Sequence, residues 1–258
     1  RGTYSELACK KNFGSSVNSL ACKTIPEIFE TINDENSFGV VPFENSTEGA
    51  VNLTLDALKT TELKICGELE MPIKHSLLAS QLNLKKIKSV YGHQQSLAQC
   101  KSKLSNLLPK VKIVPVESSG LALKKAKQAS TNACIAHESF ASEHNLKVCR
   151  RNMEDEKNNT TRFVVLAINS PLKSGSDKTS IIISLENKPG ALSKVLKIFE
   201  LSRVNLSYIQ SRPSKKDKWS YSFFLDFEGH SETIKIKKLL SRLEKNSISL
   251  KLLGSYPK

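Results

Sequence analysis

The chain has 258 residues and a formal charge of +14, from 39 lysines and arginines against 25 aspartates and glutamates. A hydrophobic content of 39% supports a folded core and excludes wholesale disorder, and no apolar run is long enough to cross a bilayer. The length suits one large domain, or a large one followed by a small one.

Taken in order, Gly2-Thr3 reads as a tight turn into a helix, with Thr3 as cap, Glu6 completing a capping box and Gly14 as the stop. A strand should precede that turn, and Arg1 stands inside what looks like a motif, so the native start is expected upstream. A helix is predicted over 25–33, with Pro26 in its first turn. Residues 38–43 read as a short buried strand that delivers Glu44, Asn45, Ser46 and Thr47 at its carboxyl end. On the residues alone, Asn45 or Ser46 simply caps the next helix, whose apolar stripe is Val51, Leu55 and Leu58.

Further strands are predicted at 64–69, 75–79, 89–92, 112–116 and 133–136. Between them come a helix opened by His93, with Leu97, Cys100, Leu104, Leu107 and Leu108 at helical spacing, and one started by Ser118-Ser119-Gly120. A third helix is predicted over 138–144. Such alternation defines an α/β class. Asn159-Thr160-Thr161-Arg162-Phe163 then feeds an apolar run, 163–168, that reads as a buried strand. Polar clusters at the mouths of buried strands are where open α/β sheets place ligands.

Residues 170–178 have the composition of a linker, and the order beyond them is βαββαβ. Strands are predicted at 179–186, 205–212 and 248–253, with a further one in which Trp219, Tyr221, Phe223, Leu225 and Phe227 alternate. The helices carry Leu192, Val195, Leu196 and Phe199, and Ile236, Leu239, Leu240 and Leu243. This is the split-βαβ, ferredoxin-like pattern.

Cys9, Cys22, Cys66, Cys100, Cys134 and Cys149 are scattered and none stands at metal-ligand spacing, so reduced thiols and no metal are expected. The basic groups Lys85-Lys86-Lys88, Lys124-Lys125-Lys127, Lys215-Lys216-Lys218 and Lys235-Lys237-Lys238 are separate and read as solvated surface, not as a nucleic-acid or membrane face.

The landmarks G-T-Y-S at 2–5, V-P-F-E-N-S at 41–46, T-L-D-A-L at 54–58, H-Q-Q-S-L-A-Q-C at 93–100 and N-T-T-R-F at 159–163 stand in one order. P-G-A-L at 189–192 and S-R-P at 211–213 follow in the second part. Together they resemble prephenate dehydratase with a C-terminal ACT regulatory domain.

The resemblance implies a two-lobed catalytic domain over 1–169, like a type 2 periplasmic binding protein, with its site in the cleft. One lobe would be about 1–75 plus 160–169 and the other 80–155. A linker at 170–178 and an ACT domain at 179–258 would follow. It implies conversion of prephenate to phenylpyruvate, carbon dioxide and water in L-phenylalanine biosynthesis, without a cofactor. Thr161 and Glu44 would be catalytic, and Thr3, Asn45, Ser46, Gln99, Ser119, Arg162 and Phe163 would bind substrate, Arg162 by anchoring a carboxylate.

Allosteric phenylalanine would meet Gly190, Ala191 and Leu192, and Ser211, Arg212 and Pro213 of a paired domain, in a cytoplasmic homodimer or homotetramer. Organelle targeting stays open upstream of Arg1. Departures from the family pattern are Gly92-His93-Gln94-Gln95 for Ser-His-Pro-Gln, Ser118-Ser119 for Ser-Thr, Gln210 for an acid and Ser193 for valine. The last two put phenylalanine affinity in doubt. Arogenate dehydratase and a non-catalytic amino-acid sensor are the competing readings.

Overall fold

A computed structural model of the chain describes residues 2–213 and 221–258. Trp219 of the predicted strand and the Lys215, Lys216 and Lys218 group lie outside the described residues. The chain divides into two compact units, one of Arg1–Ala21, Asn45–Gly49 and Glu70–Thr161, the other of Cys22–Glu44, Ala50–Leu69 and Arg162–Lys258.

The first unit is built on a sheet ordered Lys112–Val116, Ser89–His93, Asn132–Ala136, Ser76–Ala79, Lys147–Arg150. The first three strands run parallel, and Ser76–Ala79 pairs antiparallel with both its neighbours. Helices cover both faces, which is why the central strands are apolar on consecutive residues. Ala122, Leu123 and Ala126 of the helix Ser119–Gln128 pack with Leu78, Cys134 and Phe140 on one face. Leu97, Cys100 and Leu104 pack with Leu77, Val90 and Ile135 on the other. The helix predicted from His93 is interrupted at Cys100, whose φ of −114° and ψ of 8° leave the helical basin.

One lobe was expected to hold about 1–75 plus 160–169, yet residues 2–13 belong to this unit, with 70–161. Leu7 of the helix Tyr4–Phe13 packs on the Leu123 side of the sheet, and a Cβ at Gly2 would stand 3.1 Å from the Gly120 Cα. Gly2 also has φ of 85°, so glycine serves both the turn and the close approach. The cap is as predicted at Thr3, whose hydroxyl accepts from the Glu6 N–H, but the Glu6 carboxylate reaches past Thr3 to the Gly2 N–H at 2.6 Å.

The second unit contains two sheets. One is ordered Gly49–Ala50, Gly39–Asn45, Thr160–Ala167, Lys64–Pro72. The other is the ferredoxin-like domain, ordered Leu206–Pro213, Tyr221–Glu228, Asp177–Leu185, Ser249–Pro257, and its βαββαβ order is the predicted one. Strand alternation divides its residues. Ile181 and Ile183 meet Val195, Phe199, Ile236 and Leu239 of the two helices, while Ile182 joins Phe224, Leu253 and Tyr256 on the opposite face. That opposite face is buried against Val41, Ile65, Val164 and Leu166 of the other sheet. A Cβ at Gly254 would lie 2.1 Å from the Ile65 carbonyl oxygen, so only glycine allows the two backbones to meet there.

The linker is shorter than predicted. Asp177 and Lys178 already belong to the strand Asp177–Leu185, and the buried Asp177 carboxylate accepts from the N–H groups of Ser174 and Gly175 and from the Ser174 hydroxyl.

Candidate functional site

In the first unit, Asn45, Asn159 and Thr161 are all buried and hydrogen-bonded to one another. The Asn45 amide nitrogen donates to Asn159 Oδ1 at 2.6 Å and to Thr161 Oγ1 at 2.8 Å. Its amide oxygen accepts from the N–H groups of Thr47 at 3.0 Å and Glu48 at 3.1 Å. An asparagine side chain has two donors and two acceptor positions, so Asn45 is fully used inside this cluster. The consequence falls on Thr161. Its oxygen receives a hydrogen bond, which leaves its own hydroxyl hydrogen free to be donated. Ser46 completes the corner: its N–H donates to the Thr160 carbonyl, and its hydroxyl accepts from the Thr160 N–H at 2.9 Å.

A second chain of contacts in the same unit starts at Gln99. Its amide nitrogen donates to Glu48 Oε1 at 2.8 Å, and its amide oxygen lies 2.9 Å from His75 Nε2. With Nε2 as the donor, Nδ1 of the neutral ring faces the Tyr4 hydroxyl at 3.3 Å. Tyr4 donates to the Lys74 carbonyl at 2.5 Å, and the buried Glu154 carboxylate accepts from the His75 backbone N–H. Burial holds the His75 imidazole below its ordinary range, against the opposing pull of Gln99 and Glu154. Burial also pushes the Tyr4 hydroxyl up, so both rings are neutral near pH 7. The sequence reading named Gln99 and, within N-T-T-R-F, Asn159, but not their partners His75 and Glu48. His75 stood inside a predicted strand, with no spacing to mark it.

Thr3 follows Gly2 and Ser119 precedes Gly120, the two glycines that approach each other. Each stands at the start of a helix, Tyr4–Phe13 and Ser119–Gln128, where free N–H groups and the helix dipole favour negative charge. Both are half-buried.

In the second unit Arg162 departs from its expected role. Its Nε and Nη2 hold Glu68 Oε2 at 2.7 Å, its Nη1 holds Asp226 Oδ2 at 2.6 Å, and Nη2 donates to the Tyr256 hydroxyl at 3.1 Å. The guanidinium carbon lies 4.7 Å from the Phe43 ring centre and 5.7 Å from that of Tyr208. A guanidinium so engaged has no face left to anchor a ligand carboxylate. The physical reason is strand alternation: neighbours on Thr160–Ala167 point to opposite faces, and Val164 and Leu166 share the Arg162 side. Burial works against the Arg162 charge, but Asp226, Tyr256 and Glu68 outweigh it. Phe163 is core, 1% exposed. Glu44 is half-buried; burial, then its charge, raises the Tyr208 hydroxyl.

The family model "Prephenate dehydratase" matches residues 1–171 and the model "ACT domain" matches 179–245. The chain belongs to the prephenate dehydratase family. It is 42% identical to the bifunctional chorismate mutase/prephenate dehydratase of Pseudomonas aeruginosa, covering 100% of this chain and 71% of that one. It is 39% identical to the prephenate dehydratase of Methanocaldococcus jannaschii, covering 100% and 95%. The solved structure of prephenate dehydratase from Arthrobacter aurescens in complex with L-Phe superposes with a TM-score of 0.90 at 31% identity, covering 100% of this chain and 88% of that one.

The ACT domain of this family member carries a cavity of about 150 Å³ lined by Leu185, Asn187, Lys188, Ala191, Leu192, Tyr221 and Phe223 among others. Ala191 and Leu192 of the predicted ligand set line it, and Gly190 precedes them as a left-handed helix cap with φ of 82°. Ser211 and Pro213 pair with Phe223 and Tyr221 on the neighbouring strand, and Arg212 reaches Asp56 at 2.9 Å. Within one chain S-R-P therefore stands one strand away from the cavity.

Proposed function

We propose that this chain is a carbon–oxygen lyase that converts prephenate to phenylpyruvate, carbon dioxide and water. The ring carboxylate leaves as carbon dioxide, its bonding electrons expel the ring hydroxyl, and the ring becomes aromatic. Hydroxide departs poorly, so a donor at that oxygen is the main requirement. Thr161 is assigned that role. The observation that carries it is the Asn45 amide hydrogen on Thr161 Oγ1, because it leaves the Thr161 proton to be donated elsewhere than to Asn45. Asn45 is then a positioning residue, as is Gln99 for Glu48. Glu44, assigned by the family motif, resupplies the proton. Thr3 and Ser119, at two helix starts, hold carboxylate oxygens with neutral donors, which do not over-stabilise the group that must leave.

The test follows phenylpyruvate from prephenate, and phenylalanine from arogenate, with the full chain. Thr161→Val keeps the shape and deletes the hydroxyl, and should cut kcat roughly 10²–10⁴-fold while circular dichroism is unchanged. Wild-type turnover in the folded variant overturns the assignment, and a preference for arogenate changes the substrate while keeping the chemistry.

L-Phenylalanine is assigned to the cavity beside Ala191 and Leu192, completed by Ser211, Arg212 and Pro213 of a second ACT domain in a homodimer or homotetramer. Calorimetric titration should show binding, and sedimentation should show the assembly.

A further inference from the structure

The second unit holds a buried cluster that dehydration chemistry does not require: Arg162, Glu68, Lys178 and Asp226, with Tyr256 and Ser180. The Asp226 side chain is 2% exposed and that of Arg162 10%. Glu68 bridges Arg162 at 2.7 Å and Lys178 at 2.5 Å. The Ser180 hydroxyl donates to Asp226 Oδ1 at 2.6 Å and lies 2.8 Å from the Tyr256 hydroxyl. Two cations face two anions, so the cluster is neutral as a whole while every member is pinned.

Burying charge is costly unless it is paired; here both carboxylates are ion-paired, and Asp226 Oδ1 is hydrogen-bonded while its buried Oδ2 meets Arg162 as an ion pair alone, so the arrangement fixes geometry closely. What it fixes is the strand Thr160–Ala167. Arg162 is the residue peptide-bonded to Thr161, and moving its guanidinium would break its contacts with Asp226, Glu68 and the Tyr256 hydroxyl at once. Asp226 lies on Tyr221–Glu228, the strand whose Tyr221 and Phe223 line the cavity assigned to phenylalanine. Phe223 and Asp226 are three residue steps apart along the strand, about 10 Å.

We propose that Asp226 of the ACT domain is a positioning residue for the dehydration step, acting through Arg162 on the placement of the Thr161 hydroxyl, and that the same strand carries the phenylalanine signal to it. This rests on the reading of the chain as a prephenate dehydratase.

The experiment compares wild type, Asp226→Asn and the pair Arg162→Met with Asp226→Asn in the full chain, for melting temperature, kcat, KM and phenylalanine inhibition. Asp226→Asn should lower kcat about tenfold or more with KM within about twofold, the split expected when only transition-state placement is lost. The pair removes one cation and one anion and leaves Lys178 with Glu68, so its melting temperature should return toward wild type. Its kcat should stay low and its inhibition by phenylalanine should be lost. Recovery of both kcat and melting temperature in the pair overturns the proposal and makes the cluster merely structural.

Tyr256→Phe removes one hydroxyl from Arg162 and Ser180 without a charge change. It should lower kcat about threefold to tenfold with normal folding, from the loss of one hydrogen bond. An unchanged kcat there also counts against the proposal, even if the charge variants fail to fold. A wild type inactive on both substrates would defeat the functional reading itself, a result distinct from either outcome above.

Discussion

Two clusters begin at neighbouring residues and follow opposite rules. Around Thr161 every partner is neutral: two asparagine side chains, a hydroxyl and backbone groups. Around Arg162 the partners are two carboxylates, an ammonium group and two hydroxyls. The neutral cluster sets the direction of one hydrogen, which demands a donor and an acceptor in the right places and no titration near working pH. The charged cluster holds position by mutual attraction in a dry interior and depends on its charges summing to zero. The difference predicts opposite sensitivities. A single charge should spoil the first, and a single neutralisation should spoil the second.

The largest effect should come from Asn45→Asp. A carboxylate accepts where the amide donated, so the Thr161 hydroxyl would turn inward to it. We expect kcat to fall about 10²–10³-fold, the range for losing one placed donor, with the fold intact. Asn45→Ala, which leaves the Thr161 proton unclaimed, should cost less in the same steady-state assay, and the reverse order would break the comparison.

Next is Gly254→Ala. The strand Ser249–Pro257 brings Tyr256, and Lys64–Pro72 brings Glu68, to Arg162, and the Gly254 contact with Ile65 sets their approach. An added Cβ should destabilise the chain by about 3 kcal/mol, read by urea unfolding. Lys178→Met leaves the charged cluster with an unbalanced anion and should cost about 1–3 kcal/mol, reduced by its partial exposure. A stability equal to wild type would show that balance does not matter there.

The smallest effect concerns pH. Burial lowers the His75 pKa from its ordinary 6.5, so the unfolded chain binds the proton more readily than the folded one. Stability is therefore greatest above pH 6.5 and falls as pH drops toward the folded pKa. The slope for one such group is at most about 1.4 kcal/mol per pH unit. His75→Gln should flatten the melting-temperature profile between pH 7 and 5 by part of that.

Much of this was legible from residue patterns. The βαββαβ order of the C-terminal domain showed in its alternation and helical spacing, and Thr3, Pro26 and Ser118 marked helix starts. The strand Lys147–Arg150 was missed because four residues at a sheet edge give alternation no room to register. Arg162 was the instructive error. Its motif placed it beside Thr161, but the period of two sends adjacent side chains apart, and Val164 and Leu166 already marked its face as buried. The Asn45–Asn159 and His75–Gln99 pairings depend on register between distant segments and leave no local mark. The grouping of residues 2–13 with 70–161 was likewise invisible, because Gly2 and Gly120 meet only after folding.

The face of Val164 and Leu166 has a consequence for engineering. It is covered by Ile182, Phe224, Leu253 and Tyr256, all contributed from beyond the seam that sequence draws near residue 175. Cutting there should yield a sticky fragment with bare aliphatic surface rather than an unregulated enzyme. Grafting a foreign sensor onto residues 1–171 should succeed only if the newcomer supplies a replacement for that cover.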